Sequence, residues 1–473
     1  MKLKHTFIIH DYETFGQDPA LDFPAQFAGI RTDMNFNIIE DPIIIYCRPS
    51  NDYLPQPAAV MVTGITPQFT LSCGINESDF AKQIHQMFSV PGTCVMGYNN
   101  ISFDDEVTRN IFYRNFYDPY SYSWENGNSR WDLIDVMRTC YSLRPEGINW
   151  PKNEHGLPSF KLEYLSKFNG IKHNNAHDAM SDVYATIALA KLVKEAQPKL
   201  FNYLFQLRNK YKISELLRIS TKKPLVHISG IFGAYRGNIS LVTQLARHPI
   251  NKNAVIMCDL TGDISLLLDL DIYHLRKLFY TKHHDLQSDQ LPIPLKLVYI
   301  NKCPVLAPVQ TLRPEDALRF DLDIQRCIYN LKILHTHPEL QEKVVAIFAD
   351  SKPFNLSDNV YAQLYDGFFN DNDKCAMKII RESLPHNLLW SSLKFQDKRM
   401  LPLLFRYRAR NFPETLTDDE KRCWQLHRRT VLNYERLQSY YLQLQELYDL
   451  YKEDTKKIIN IKLLFDYMQN LIN

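Results

Sequence analysis

The chain holds nine cysteines, from Cys47 to Cys423, but no C-x-x-C pair. That absence argues against a zinc site or a disulfide framework, and the odd count fits a reducing compartment. A dominant sign of charge is missing too, since 55 Lys and Arg against 53 Asp and Glu leave a formal +2 at pH 7. Overall attraction is then too weak to announce a nucleic-acid partner, so any such binding must rely on local basic patches. Long hydrophobic runs are scarce at the start. The opening MKLKHTFIIHDYETFG has three consecutive apolar residues before His10, too few for a signal-peptide core or a membrane span. A cytoplasmic protein without membrane contact is therefore expected. No internal repeat or low-complexity linker is visible.

What is present is material for several cores: 473 residues, 45% hydrophobic and 23% charged, imply two or three domains. Strand patterns at Thr6 to Thr14, Gln26 to Thr32 and Phe36 to Cys47 predict a meander. A buried strand is predicted at Thr93 to Tyr98, and helices at Asp79 to Phe88, Phe103 to Phe116, Ser159 to Phe168 and Asp178 to Ala196. That order predicts an α/β domain over 1–196 with a mixed sheet flanked by helices. Residues 198–351 carry β-rich runs at Pro224 to Phe232, Asn253 to Asp259 and Leu295 to Ile300, which predict a small barrel-like domain with a helical Ala317 to Phe348 packed on it. Residues 354–473 lack a strong strand signal, and Tyr, Leu and Ile recur at helical spacing from Asp419, which predicts a helical C-terminal domain.

Asp11 and Glu13 are two apart in the first predicted strand, so the period of two puts both carboxylates on one face. Like charges this close are tolerable when a divalent cation sits between them, and hard oxygen ligands suit magnesium or manganese. Taken alone, D-x-E also describes a polar strand face turned to water. Asp104 stands where GYNNISFDDEVTRNIF passes from a strand through a polar turn into a helix. Acids at a helix start also cap it and favour its dipole, a structural reading open to Asp104, Asp105 and Glu106 alike and to Asp178. In NNAHDAMSDVYATIALAKL, the apolar stripe of Met180, Val183, Tyr184 and Ile187 leaves Asp182 off the buried face. Five helical residues turn by about 500°, so His177 shares the side of Asp182 only from the loop before the helix.

D-x-E on the first strand, an acid after a later strand, and H-x-x-x-x-D entering the last helix, in this order, resemble the DEDDh 3′–5′ exonuclease superfamily. HDYETFG, PAQFAGIRTD, YNNISFDDEVTRNIFYRNFYDPY, SRWDLIDVMR, RPEGINWP and NAHDAMSDVYATIALAKLVK are similar to the bacterial exodeoxyribonuclease I family within it. GIFGAYRGN, INKCPVLAP and YRARNFPETL carry the resemblance over essentially the whole chain. It implies a ribonuclease H-like nuclease domain, an SH3-like β-barrel-containing domain and an all-α C-terminal domain around a channel for single-stranded DNA. It also implies magnesium-dependent hydrolysis from the 3′ end, with release of deoxynucleoside 5′-monophosphates, in DNA repair and recombination. Asp11, Glu13, Asp104 and Asp182 would hold two Mg²⁺ ions roughly 4 Å apart, with Mn²⁺ as a substitute. His177 would take the proton of the attacking water.

Lys161, expected in the first turn of a helix opened by Pro158 and Ser159, opposes the helix dipole and so points to a nearby anion. The family usually has arginine there, and lysine cannot reproduce its bidentate phosphate grip. Glu13 and Lys161 are the expected substrate contacts. Gripping a single strand takes cations for phosphates and rings for bases. Arg109, Tyr120, Trp124, Arg138, Tyr235 and Arg236 are candidates, as are Arg406, Tyr407 and Arg408, although aromatic residues at such spacings also build cores. Arg144 and Arg313 could receive the acidic C-terminal tail of a single-strand-binding protein, or be ordinary surface charges. A monomer is expected. Two other readings stay open: an RNA-trimming exoribonuclease of the same chemistry, and a catalytically silent single-strand-binding scaffold.

Overall fold

The strand expected over Thr6–Thr14 forms over those bounds as β1, buried along nearly its whole length, with β2 along one edge and β4 along the first part of the other. In the computed structural model, which describes residues 4–173, 178–220, 223–282, 285–286, 290–349, 357–388 and 393–472, β1 runs antiparallel to β2 (Pro24–Thr32) and parallel to β4 (Thr93–Gly97). β3 (Ile43–Tyr46) pairs antiparallel with β2, so the order β3-β2-β1-β4 is the expected meander followed by a crossover, within a mixed sheet. The crossover passes through helices Pro57–Thr63, Pro67–Cys73 and Glu77–Phe88. The first two were not expected: each has seven residues and opens on a proline, too short for an apolar period to show. β3 is much shorter than the expected Phe36 to Cys47. The Asp33 carboxylate accepts the N–H groups of Asn35 and Asn37, Phe36 takes a φ of 61°, and its ring stacks on Phe7 at 4.7 Å instead of joining the strand.

Two compact units make up the chain, one of Met1–Ser129, His173–Ile187 and Asn355–Asn473, the other of Arg130–Lys172 and Ala188–Phe354. In the first unit, Tyr12, Phe27, Phe80, Phe88 and Phe112 form one core. A second core joins Phe15, Phe23, Tyr113 and Phe116 to Leu403 and Tyr407 of helix Met400–Asn411 and Leu464 of helix Thr455–Ile472. The C-terminal segment is helical as expected, with no strand among its described residues. Helix Asp104–Arg114 sends Phe112 into the first core and Tyr113 into the second, which is why almost all of it is buried. Its last residue, Arg114, donates to Glu77 Oε1 from Nε at 3.1 Å and from Nη2 at 2.6 Å, and to the Ala20 carbonyl at 3.0 Å.

A short strand not anticipated from the sequence, β5 (Ser129–Asp132), leads into helix Leu133–Leu143, capped by the Asp132 side chain. The second unit holds an antiparallel five-stranded sheet of β6 (Leu225–Ile228), β7 (Ile239–Arg247), β8 (Ala254–Asp259), β9 (Leu295–Tyr299) and β10 (Val305–Pro308), ordered β10-β6-β7-β8-β9. Each expected β-rich run contains one strand; the central and longest, β7, was not among them. The helical stretch expected from Ala317 to Phe348 is three helices, Pro314–Arg319, Ile324–Thr336 and Leu340–Ala349, broken where Asp321 takes a φ of 51° and at Pro338. The helix expected from Ser159 begins only at Leu162, because Pro158 is bridged to Lys152 and the Ser159 N–H is donated to the Pro151 carbonyl at 2.9 Å.

Removing one member of a buried ion pair strands the other charge away from water. Arg114→Met, which leaves Glu77 alone in the interior, should cost about 3–5 kcal/mol of stability, read as a lowered urea midpoint by circular dichroism. A midpoint equal to the parent's would show that this pair does not hold the helix.

Candidate functional site

Parallel pairing of β1 with β4 ends at Ile9 and Met96, so β4 no longer runs beside Tyr12. A carboxylate takes its place: the Tyr12 N–H donates to Asp104 Oδ1 at 3.1 Å. Asp104 arrives there through a tight turn after β4. A Cβ at Gly97 would sit 2.9 Å from the His10 carbonyl oxygen, and Asn99 has a φ of 65°. The Asn100 side chain braces the turn, accepting the Gly97 N–H at 3.1 Å and donating to Asp105 Oδ1 at 3.2 Å. Asp105 thus serves the turn, while Asp104 faces β1.

The Tyr12 ring belongs to the core, so Asp11 and Glu13, its neighbours in the strand, share the opposite face. Asp182 reaches them from the first turn of helix Ala179–Ala196. The Ala179 N–H points to Gln26 Oε1 at 3.4 Å, and Gln26 lies across from Glu13 in the β1–β2 register. Asp178 caps this helix by accepting the Ser181 N–H at 3.0 Å. Oxygens of Asp11, Glu13 and Asp182 lie within 4.8 Å of one another, Glu13 buried and the other two half-buried. Burial, then the charges of Asp104, Glu13, Asp182 and Asp178, raise the Asp11 carboxyl well above the ordinary range. Burial, followed by Asp182, Asp104 and Asp178, pushes Glu13 up to about 9. A bound cation reverses this logic, since it favours the ionised acids, and an all-oxygen donor set fits magnesium or manganese.

The four expected acids are therefore brought to one strand, and His177 lies outside the described residues. The stripe of the last helix holds at Met180, Val183 and Ile187, but Tyr184, expected in it, faces outward at 43% exposure. One neighbour of the cluster was missed. His173 Nε2 lies 2.5 Å from Asp182 Oδ1, its side chain almost wholly buried. The available signal was a second histidine four residues ahead of His177.

Lys161 is the residue before helix Leu162–Phe168, with extended backbone, rather than part of its first turn. It is exposed, with Nζ 5.6 Å from the Tyr164 ring centre. Arg109 is buried, pairs with Glu106 at 2.7 Å and lies over the Tyr120 ring at 5.4 Å. Arg138 pairs with Asp135 at 2.8 Å and Arg236 with Asp259 at 3.3 Å. Trp124 and Tyr235 are the exposed rings of the set, at 63% and 69%. Arg313 and Arg144 converge on buried Asp316, at 2.6 and 3.9 Å. Tyr407 and Arg408 are interior rather than in an exposed groove: the Tyr407 hydroxyl bonds Ser78 at 2.8 Å, and Arg408 is paired with Glu420. Arg406 sits over the Tyr361 ring at 4.9 Å and donates to Asn359.

Three family models match in chain order: Exonuclease over residues 8–190, Exonuclease I SH3-like domain over 208–350 and Exonuclease I C-terminal domain over 358–471. The exodeoxyribonuclease I of Escherichia coli K12 is 60% identical over 471 residues, 100% of this chain and 99% of that protein. The E. coli exonuclease I structure with a dA16 oligonucleotide matches at a TM-score of 0.96 and 60% identity, covering 99% of this chain and all of that one. The zinc-bound form of the E. coli complex with single-stranded DNA matches at 0.95 and 59%, and a structure of SSB/exonuclease I with the inhibitor CFAM at 0.92 and 58%, both with the same coverage. The expected order of nuclease, SH3-like and helical C-terminal domains is thus met. A likeness that runs from end to end at this identity, with a family model over each of its three parts, shows that the chain belongs to the exodeoxyribonuclease I family and is an exonuclease, hence a hydrolase.

Proposed function

We propose that this chain degrades single-stranded DNA from the 3′ end, releasing deoxynucleoside 5′-monophosphates by metal-dependent hydrolysis. The observation that carries the reading is the set of Asp11, Glu13 and Asp182 oxygens within 4.8 Å, crowded enough to hold protons when no cation is bound. The substrate class is supported by the E. coli relative seen with dA16. Asp11, Glu13, Asp104 and Asp182 would hold two Mg²⁺ ions, with Mn²⁺ as a substitute. When bound, such ions supply Lewis acidity to water and stabilise charge on the oxygens of the scissile phosphate.

The chain's own residues supply position and proton transfer. β1 is held by β2 opposite both acids and by Asp104 at the Tyr12 N–H between them, so Asp11 and Glu13 are set in place before substrate arrives. His177 takes the proton of the attacking water. Lys161 meets a phosphate as a single exposed cation. Trp124 and Tyr235 offer open ring faces to bases. Tyr120, Arg109, Arg138 and Arg236 add contacts in which each guanidinium is shared with the carboxylate that already holds it.

Arg144 and Arg313 would receive the acidic C-terminal tail of a single-strand-binding protein, a partnership supported by the similar SSB/exonuclease I structure. The enzyme would act as a monomer in DNA repair and recombination, with sequence domains 1–196, 198–351 and 354–473. All nine cysteines are free, which fits the cytoplasm. Among the described residues no helix is long and apolar enough to cross a membrane.

With magnesium present, a single strand blocked at its 5′ end should yield mononucleotides, while a 3′-blocked strand should resist and chelator should stop release. Equal digestion of both strands would overturn the direction, and faster digestion of matched RNA would overturn the sugar preference. His177→Ala should slow turnover by about 10²–10⁴-fold with DNA binding retained, and Asp182→Asn should be more damaging; unchanged single-turnover rates would remove these residues from the mechanism.

The raised acids also set a pH dependence. Between the ordinary glutamate value of 4.5 and about 9, the metal-free folded state holds a proton on Glu13 that the unfolded chain has lost. Stability of the metal-free protein should therefore fall as pH rises through that window. Divalent ions need the ionised acids, so their affinity should rise over the same interval, with protons released on binding. Calorimetric Mg²⁺ titrations at pH 7 in buffers of different protonation enthalpy read this release; identical heats in all buffers would contradict it.

A further inference from the structure

His173 has a geometry that none of the roles above uses. Its side chain is 4% exposed, and its Nε2 lies 2.5 Å from Asp182 Oδ1. An ionised carboxylate only accepts, so the shared proton sits on Nε2. The other ring nitrogen, Nδ1, is buried without a hydrogen-bond partner among the described residues. The bond to Asp182 is thus the polar attachment that orients this ring, and it links a residue ahead of helix Ala179–Ala196 to that helix's first turn. A carboxylate in a first turn is otherwise drawn back toward the free N–H groups of its own helix. His173 pulls Asp182 away from that alternative.

We propose that His173 is a positioning residue: by hydrogen-bonding Asp182 it holds that carboxylate where it meets Asp11 and Glu13, and so sets the affinity of the acid cluster for a divalent cation. Carboxylates that ligate metals are ordinarily held by such outer partners, whose loss weakens binding. The inference rests on the reading of Asp182 as a metal-holding acid, and it is a role separate from that of His177, because it acts through Asp182 and moves no proton of the substrate water.

The test is Mn²⁺ binding to the full chain without DNA, followed by electron paramagnetic resonance, for the parent, His173→Leu, His173→Gln and Asp182→Asn. His173→Leu keeps bulk without a donor and should weaken binding by about 10–100-fold, whereas His173→Gln should recover most of the loss. Saturating Mn²⁺ should return kcat of the leucine variant toward the parent's. Should the leucine variant fail to fold, His173→Ala with added imidazole replaces it, and imidazole should restore affinity. Parent-like binding in the histidine variants alongside lost binding in Asp182→Asn would overturn the role of His173 alone. Parent-like binding in Asp182→Asn would overturn the reading of Asp182 and the inference with it. A directly bonded nitrogen in the Mn²⁺ spectrum that vanishes in His173→Gln would overturn positioning in favour of ligation.

Discussion

Carboxylates gathered at one strand repel each other, and the surrounding architecture exists in part to hold them against that repulsion. Asp11 and Glu13 cannot part, because both stand in β1, which pairs with β2 at each of them. Asp104 is held by a backbone N–H of the same strand, and Asp182 by a helix whose first residue meets Gln26 across from Glu13. Each restraint comes from a different part of the chain. The result is a site whose crowded acids are electrostatically unfavourable, a strain that a cation placed among them would relieve.

The same molecule shows the opposite outcome where a buried acid has a cation beside it. Burial by itself would raise Asp52, yet Arg410 at 2.6 Å, with help from His427 at 3.2 Å, holds its carboxyl well below the usual range. For Glu13, the charges that add to burial are all acidic. Burial is common to both; the sign of the neighbouring charge decides whether the carboxyl is held ionised or pushed toward its protonated form. Asp52–Arg410 also fastens helix Met400–Asn411 to the part of the chain that carries the nuclease sheet, within one compact unit.

That fastening explains how a helical C-terminal segment supports the acid cluster. Helix Asp104–Arg114 starts at the site and lies between two cores, one of which is built jointly with the C-terminal helices. Its far end is locked by Arg114 on Glu77. Many of the basic side chains that read as candidate phosphate contacts are paired within the protein, Arg109, Arg138 and Arg236 among them. Such pairing keeps a guanidinium ordered, and leaves the exposed Trp124 and Tyr235 as the open ring surfaces of the group.

Local periodicity made much of this legible in the sequence. A period of two put Asp11 and Glu13 on one face, the bounds of β1 were read correctly, and the helix bearing Asp182 was displaced by a single residue at its start. The short helices at Pro57 and Pro67 escaped because seven residues cannot display a helical period. Phe36 left its expected strand because an Asp33 turn and the Phe7 ring offered it a better place. Composition could not tell that Arg408 would be interior, since its burial depends on Glu420 closing over it from another helix. Residue types and their order along the chain thus determined the family and which acids to watch, because those signals are local. Which oxygens meet, which cations are already paired, and that His173 touches Asp182 were decided only by tertiary structure, because each requires side chains from separate segments to arrive at the same point.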